Sequence, residues 1–340
     1  LNTETPDLSF RVTRKTADFY NQDRRPVRGS LGCHVLGVAC PVPDLNHGPS
    51  QVAGAVKRVA ANMPVINRIR LRSFFRFVKR FARKNLKSLI IDPTEDFDFE
   101  RWILEAPYTE ARKEELRKVW ILGQDRAPKL TVKAFIKDEE LTDYKMPRGI
   151  YSRDDDYKVR VGPFFKLFGD KLFSLPWFIK KVSVQRRPDV IIDRLQKFRS
   201  YFCTDFSQYE STFTRPLMNV EKWVYGFALS AHGRRKEMLD TISKSMETNI
   251  IHWKNWQMTL DCKRMSGEMN TSCGNGLMNL LITAYVMEQY GNSLHEWDGL
   301  FEGDDGIIGC KNLPTAALYT ELGCRIKIEV PKSLSTASFC

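Results

Sequence analysis

Apolar and polar positions follow two periods along this chain, and each change of period marks an element. From Arg68 to Lys87 the sequence RIRLRSFFRFVKRFARKNLK places Phe74, Phe75, Phe77, Val78 and Phe81 at mainly helical spacing among cations, which predicts an amphipathic helix. Residues 96–119 read as helical material broken near Pro107. GQDRAP then reads as a turn and KLTVKAFIKDE as a strand. Between 131 and 165 cations interleave with β-branched and aromatic residues around Pro147, the pattern of extended strands joined by a loop. One or two helices are expected over 166–200, separated near Pro176 and Pro188, after which KFRSYFCTDF runs from a helix end into a short buried strand. A helical region from about Pro216 to 249, a strand in WQMTLDCKR, a Gly-rich loop at 266–276 and an apolar helix over about 277–290 follow. In GLFEGDDGIIGC two apolar flanks enclose a Gly-Asp-Asp-Gly tip, a hairpin signal. Residues 313–322 read as a helix stopped by Gly323, and RIKIEV as a last strand. Helices and strands interleaved without a regular βαβ repeat predict an α+β body.

Composition narrows this picture. The chain has 340 residues, of which 42% are apolar and 28% charged, enough to bury a sizeable core and too apolar for a disordered basic tail. Apolar runs such as GLMNLLITAYVM stay below the length that crosses a bilayer, and the N-terminal LNTETPDLSFRVTRK has no signal-peptide core. Eight cysteines without a CxxC pair argue against a zinc ribbon or a disulfide scaffold and fit a reducing compartment. Cys273, Cys310 and Cys324 are expected to be small buried residues. His34 and His47 fall in the Gly-, Pro- and Asn-rich stretch 19–50, without a partner at motif spacing, and read as loop histidines. A first residue that is Leu, and an end at Cys340 directly after an apolar run, predict that either terminus is a cut through a longer protein.

Charge is divided unevenly. The formal net charge is +12, yet residues 1–200 carry 40 basic and 25 acidic side chains while residues 201–340 carry 13 and 16. The densest run, Arg68 to Lys87, holds nine cations and no acid. Three readings stay open for it: a helix with a solvated basic face, a contact for nucleic-acid phosphates, or a basic Phe-rich helix lying on an anionic membrane surface.

Candidate chemistry sits in three separated segments: CTDFSQYE, with Asp205 at a predicted strand end and Glu210 five residues on; SGEMNTSCGNG; and EGDDG. A lone GDDG turn could simply hydrogen-bond its own backbone. Together, Asp205 at a strand end and Asp304 at an adjacent hairpin tip would converge on a rigid sheet. Such carboxylates suit two hard divalent cations about 3.5–4 Å apart, which activate a hydroxyl and stabilise a transferring phosphoryl group. Asp304 and Asp305 are neighbours and would face opposite sides of an ideal strand, so one is the main ligand and the other secondary.

These segments resemble the catalytic motifs of viral RNA-directed RNA polymerases, most closely those of positive-strand viruses in the tombusvirus-like and nodavirus-like groups. The matching residues are Asp205-FSQY-Glu210, then Ser266-Gly267-EMN-Thr271-SCG-Asn275, then Gly303-Asp304-Asp305, in the family's order and spacing. Upstream, KDE and KMPRGIYSR resemble the basic motif that holds the incoming triphosphate, with Lys137, Lys145, Arg148 and Arg153 as its cations. Downstream, ELGCRIKIEV resembles the segment whose lysine protonates the leaving pyrophosphate, which selects Lys327 over Lys332, and SFC at 338–340 resembles the opening of a further motif. Many relatives carry Asp where this chain has Glu210.

The resemblance implies a right-hand polymerase with fingers and an N-terminal region over 1–199, a palm over 200–340 with a fingers insertion around 218–262, and an absent thumb. It implies Asp205 and Asp304 as metal holders assisted by Asp305, with two Mg²⁺ ions or Mn²⁺ in their place. Ser266, Thr271 and Asn275, together with Glu210, would read the ribose and place the template, while Gly267, Gly274 and Gly303 allow close backbone approach or the turn. Implied partners are RNA template and product, ribonucleoside triphosphates, other viral replication proteins and a host membrane surface, with localisation in host cytoplasm at membrane-associated replication sites. The rivals are a reverse transcriptase or other palm nucleotidyltransferase, and a non-catalytic RNA-binding or replication-scaffold fragment.

Overall fold

The computed structural model describes residues 10–15, 44–61, 63–123, 126–139 and 146–339; Lys145, His34, Cys33, Cys40 and Cys340 lie outside the described residues. After β1 (Phe10–Arg14) and α1 (Gly48–Arg58) comes α2 (Arg68–Asn85), the predicted amphipathic helix. Asn67 caps it, its side chain accepting from the backbone N–H groups of Ile69 and Arg70. Phe74, Phe77, Val78 and Phe81 are buried, and the rings of Phe74 and Phe77 each lie 5.5 Å from that of Tyr285. The Phe-rich face of α2 is therefore part of the core, which corrects the reading that laid this face into a membrane. Among the described residues no helix is long and apolar enough to cross a membrane.

Pro107 separates α3 (Phe99–Glu105) from α4 (Glu110–Gly123), as expected. β2 (Val132–Ile136) and β3 (Gly149–Arg153) pair antiparallel, and α5 (Asp155–Leu172) begins at once, well before the predicted position. Asp154 caps it by accepting from the Asp156 N–H, and Asp155 and Asp156 place negative charge at the positive end of the helix dipole. Pro163 lies inside α5, but Tyr157, Val161, Phe164, Phe165 and Phe168 are all buried, so packing outweighs the lost hydrogen bond.

α6 (Arg187–Leu195) leads into β4 (Ser200–Phe206), the short α7 (Tyr209–Thr212), then α8 (Arg215–Ala228) and α9 (Arg235–Lys244). β5 (Asn249–His252) stands where the pattern predicted a helix end; it exists by pairing with β6 (Trp256–Leu260), whose other edge pairs with β1. α10 (Thr271–Gln289) takes in Gly274 and Gly276, which were expected in a loop. The remaining elements are β7 (Trp297–Glu302), β8 (Asp305–Cys310), α11 (Ala317–Glu321) and β9 (Ile326–Glu329). One sheet runs β1-β6-β5-β2-β3 and the other β7-β8-β4-β9. The second hairpin thus returns to the N-terminal strands, while the acid-bearing segments share the four-stranded sheet. Helices and these two sheets make a mixed α+β body, as predicted.

α10 is apolar on all sides because it is the central helix, buried from Cys273 to Met287. Burial pushes the thiols of Cys273, Cys310 and Cys324 up to about 12, consistent with unreactive core residues. Beside α10 lies a buried ion pair: Arg264 donates through Nη2 to Glu221, and Glu221 also accepts from the Tyr225 hydroxyl. Asn270 donates to Glu221 Oε1 at 3.4 Å, and the Arg264 guanidinium sits 3.9 Å from the Phe213 ring centroid. A Cβ on Gly274 would collide with both Arg264 and Glu221, which is why glycine stands inside this helix. Removing one partner of such a pair strands a buried charge. Glu221→Leu is therefore expected to cost about 3–5 kcal/mol, read as a lower urea midpoint, and Glu221→Leu with Arg264→Met to recover most of it; equal midpoints for single and double variants would contradict this.

Candidate active site

Along β4 the residues Phe202, Cys203, Thr204 and Phe206 are buried while Asp205 projects into solvent near the strand end. β4 lies between β8 and β9, with Thr204 opposite Gly306 and Asp205 opposite Lys327. The β7–β8 hairpin turns on Gly303 and Asp304 alone, since Glu302 pairs with Asp305, so the tip has two residues where four were expected. Gly303 has φ +61°, the left-handed first position that a tight hairpin of this kind needs. Asp304 is consequently at the apex and Asp305 opens β8.

The apex is held from below by a residue that carried no motif. Buried Asn279 of α10 donates from Nδ2 to the carbonyl of Asp304 at 2.8 Å and to that of Asp305 at 3.2 Å. Thr283 donates to Asn279 Oδ1 at 3.3 Å and accepts from the Tyr319 hydroxyl at 3.2 Å. A sequence signal did exist: Asn275, Asn279 and Thr283 recur at four-residue spacing on one face of an otherwise apolar helix.

Electrostatically the apex is crowded. Burial, then the Glu210 carboxylate, then Asp305 and Asp205 push Asp304 up to about 6. Asp305 is also raised, first by desolvation and then by Asp205 and Glu302. Carboxylates crowded in this way gain from any positive charge placed among them, whether a proton or a divalent cation. Among the described residues no three acid, His or Cys side chains are already gathered into a metal nest. The oxygen donors of Asp205, Asp304 and Asp305 fit a hard divalent ion in kind, and a metal would draw them together.

Facing Asp304 is a cavity of about 370 Å³ that also exposes Glu210, Ser266, Lys137, Arg148 and Arg58. Lys137 and Arg148 are neighbours because the backbone N–H of Lys137 donates to the Arg148 carbonyl at 2.8 Å. Both grip Glu139, Lys137 at 3.1 Å and Arg148 through two guanidinium nitrogens. The Arg148 hydrogen bonds hold Glu139 down at about 2. Arg58, at the end of α1, was missed from sequence because it belongs to no motif. Burial and then Arg148 lower its pKa, and Glu139 and Glu210 partly offset this.

The other predicted residues divide. Ser266 lines the cavity and its hydroxyl accepts from the Tyr151 N–H at 3.3 Å, while Gly267 donates to the Tyr151 carbonyl at 2.8 Å. A Cβ on Gly267 would stand 2.8 Å from that carbonyl oxygen, so close approach to β3 requires glycine. Thr271 donates to the Met265 carbonyl at 3.2 Å, closing its own loop. Asn275 is buried with Oδ1 lacking a hydrogen-bond partner. Arg153 is outside the cavity: buried, it meets Glu268 at 2.5 Å, Asn249 at 2.6 Å and the carbonyls of Ser245 and Leu130, which occupies it in the five-stranded sheet. Lys327 faces solvent with Nζ 2.6 Å from Glu329, and that contact raises its pKa.

The mixed α+β body thus sets Asp304 and Glu210 against Arg58, Lys137 and Arg148 around one cavity. The chain belongs to the viral RNA-dependent RNA polymerase family, whose sequence profile matches residues 108–340. It is similar, at 23% identity over 188 residues, to an RNA-directed RNA polymerase of Striped jack nervous necrosis virus. At 28% identity over 160 residues it is similar to one of Pothos latent virus (isolate Pigeonpea/India). These alignments cover 52% and 43% of this chain and 18% and 22% of the relatives, so it spans only about a fifth of their length.

Two tests follow from the apex. Asp304 binds its proton more tightly folded, near 6, than at its ordinary 3.8, so its contribution to stability is full below about 4 and is lost as pH rises through about 6. Glu139 and Glu296, both held near 2, add little slope there. Relative to Asp304→Asn the wild type should lose thermal midpoint between pH 5 and 7.5, with Asp305 adding a part of the same sign and His252, which burial lowers, one of the opposite sign; Mg²⁺ should raise the wild-type midpoint more at pH 7.5 than at pH 5, and an unchanged profile in the variant places the slope's origin elsewhere. Asn279→Leu removes the donor shared by the Asp304 and Asp305 carbonyls and should destabilise by about 1–3 kcal/mol, measured by denaturation, with loss of the Mg²⁺ response; an unchanged response would mean that the apex holds its own shape.

Proposed function

We propose that this chain contributes the catalytic centre of a viral RNA-directed RNA polymerase, adding ribonucleotides to an RNA 3′ end under the direction of an RNA template. The observation that carries the reading is the juxtaposition of Asp304 and Glu210 with Arg58, Lys137 and Arg148 around one cavity. On this reading the four-stranded sheet is the palm, and the β1-β6-β5-β2-β3 sheet, including the returning β5–β6 hairpin, belongs to the fingers.

Each side chain has work suited to its chemistry. Lys137 and Arg148 exchange the Glu139 carboxylate for triphosphate oxygens, and Arg58 adds charge from α1. Ser266 and Glu210 line the side where a ribose hydroxyl can both donate and accept, and the unpartnered Asn275 Oδ1 offers a further acceptor. Asp205, Asp304 and Asp305 would hold divalent metal. Bound Mg²⁺ would supply positive charge for the attacking 3′-oxygen and the departing pyrophosphate. Lys327, opposite Asp205 and kept protonated by Glu329, is the proton donor for pyrophosphate. Two-metal use, RNA partners and a cytoplasmic site of action all belong to this proposal. Since the Phe face of α2 is buried, association with membranes would fall to its cations or to other replication proteins.

The test is Mg²⁺-dependent extension of an RNA primer on an RNA template by the longest natural protein that contains this chain. Asp205→Asn and Asp304→Asn should each lower incorporation by about 10²-fold or more, and Lys137→Ala should raise the KM for ribonucleotides more than it lowers kcat. Unchanged incorporation by Asp304→Asn would overturn the mechanism, preferential use of deoxynucleotides would favour a reverse transcriptase, and no incorporation by any form would favour an RNA-binding scaffold.

A further inference from the structure

The four-residue periodicity of cations on α2 has no role in the catalytic reading. Arg68, Arg72, Arg76, Arg80 and Lys84 recur every fourth residue, each about 40° further round the helix, and so form a shallow spiral rail about 24 Å long. Arg68, Arg72, Arg76, Arg80 and Lys84 are all exposed, while Phe74, Phe77 and Phe81 are buried in the core. Among the described residues, only Arg80 of this rail meets a carboxylate: it grips Glu288 of α10 at 2.5 and 2.7 Å, at a site where both side chains remain half exposed. Cations aligned without counter-charges repel one another, and a polyanion relieves that repulsion.

The rail ends on a groove. A cavity of about 520 Å³ has Arg80 and Lys84 on its wall, the largely buried rings of Phe77, Phe81 and Trp297 as apolar lining, and exposed His295. It adjoins a second cavity of about 280 Å³ that shares Leu294, His295 and Trp297 and carries Arg194 and Lys197. The groove is therefore apolar in the middle, with Arg80 and Lys84 on one side and Lys197 on the other, while Arg194 is taken up by Asp298, which also lines it. It is also remote from the catalytic cavity: Glu288, on its wall, lies thirteen residues beyond Asn275 on α10, about 20 Å along the axis.

We infer that the α2 rail and the 294–297 groove form a second binding site for single-stranded RNA, separate from the catalytic cavity, with phosphates on Arg72, Arg76 and Lys84 and unpaired bases in the groove. The chemistry selects this occupant. A cationic track beside an apolar cleft holds single strands without reading their sequence, since every nucleotide brings a phosphate and every base an apolar face that the cleft can cover. A lipid surface would use the cations but not a recessed aromatic groove, and the apolar side of α2 that would enter the lipid is buried. Glu288 is the built-in competitor, occupying Arg80 until a phosphate replaces it.

Fluorescence anisotropy with a labelled oligouridylate, together with photocrosslinking of a 4-thiouridine version, tests the inference without requiring nucleotide addition. Arg72→Ala/Arg76→Ala/Lys84→Ala should weaken binding roughly 50-fold at 0.15 M salt and reduce the salt slope by about 2. Glu288→Gln should tighten it, and wild-type crosslinks should fall within residues 74–87 or 294–297 as well as in the catalytic cavity. The cations are exposed, so the triple variant should keep its thermal midpoint and still extend a short annealed primer. Crosslinks confined to the catalytic cavity, or an unchanged salt slope in the triple variant, would overturn the site. So would loss of binding to phosphatidylserine vesicles with RNA binding intact, which would reassign the rail to a lipid surface.

Discussion

Everything at the candidate centre depends on holding several carboxylates where they repel one another. Asp205 is fixed by a strand with neighbours on both edges, and Asp304 by a two-residue turn that cannot relax without breaking the β7–β8 register. Left to itself, a flexible acidic loop would separate its charges or take up protons. Here Asn279 secures the carbonyls beneath the apex, so the repulsion appears instead as the raised proton affinity of Asp304. The compression that disfavours the empty carboxylates would be relieved by a proton at low pH and, once the acids ionise near neutrality, by a divalent ion.

Rigidity of this kind has to come from somewhere other than the sheet, because four short strands alone twist and fray. α10 supplies it. Its N-terminal turn is tied to the Glu221–Arg264 pair and to β3 through Ser266 and Gly267, its middle supports the apex through Asn279, and its far half packs on the rings of α2. Buried charge pairs add little net stability compared with apolar packing, but they penalise any alternative placement heavily. That is the property needed to keep the loop at 266–270 in register with the carboxylates, and it explains why glycines, poor helix formers, stand inside α10.

Local pattern was sufficient wherever an element is made by its own residues. The face of α2, the hairpin flanks of GLFEGDDGIIGC and the break at Pro107 all follow from spacing and turn chemistry, and the acids of the centre were legible because two motifs end on that hairpin and its neighbouring strand. What escaped was made by distant partners. β5 exists only through β6, α5 persists through Pro163 because the core holds its rings, and Arg58 reaches the cavity by the packing of α1 rather than by any motif. Arg153 shows the same limit: the resemblance placed it among the triphosphate cations, and the alternation of β3 turns it inward to Glu268.

The cations of this chain thus fall into two physical states, and the difference bears on what each can do. Around the cavity that holds Asp304, Lys137 and Arg148 share the single carboxylate of Glu139, so an anion that replaced it would gain only the difference between its own charge and that of one carboxylate. Such a site is selective for a dense anion and indifferent to a weak one. Along α2 most of the charge has no partner among the described residues, so binding there is favoured by the full release of counterions and is correspondingly sensitive to salt. The two states of charge would thus give selectivity beside the cavity and unselective retention along α2, and both sets of cations belong to the strongly basic first 200 residues.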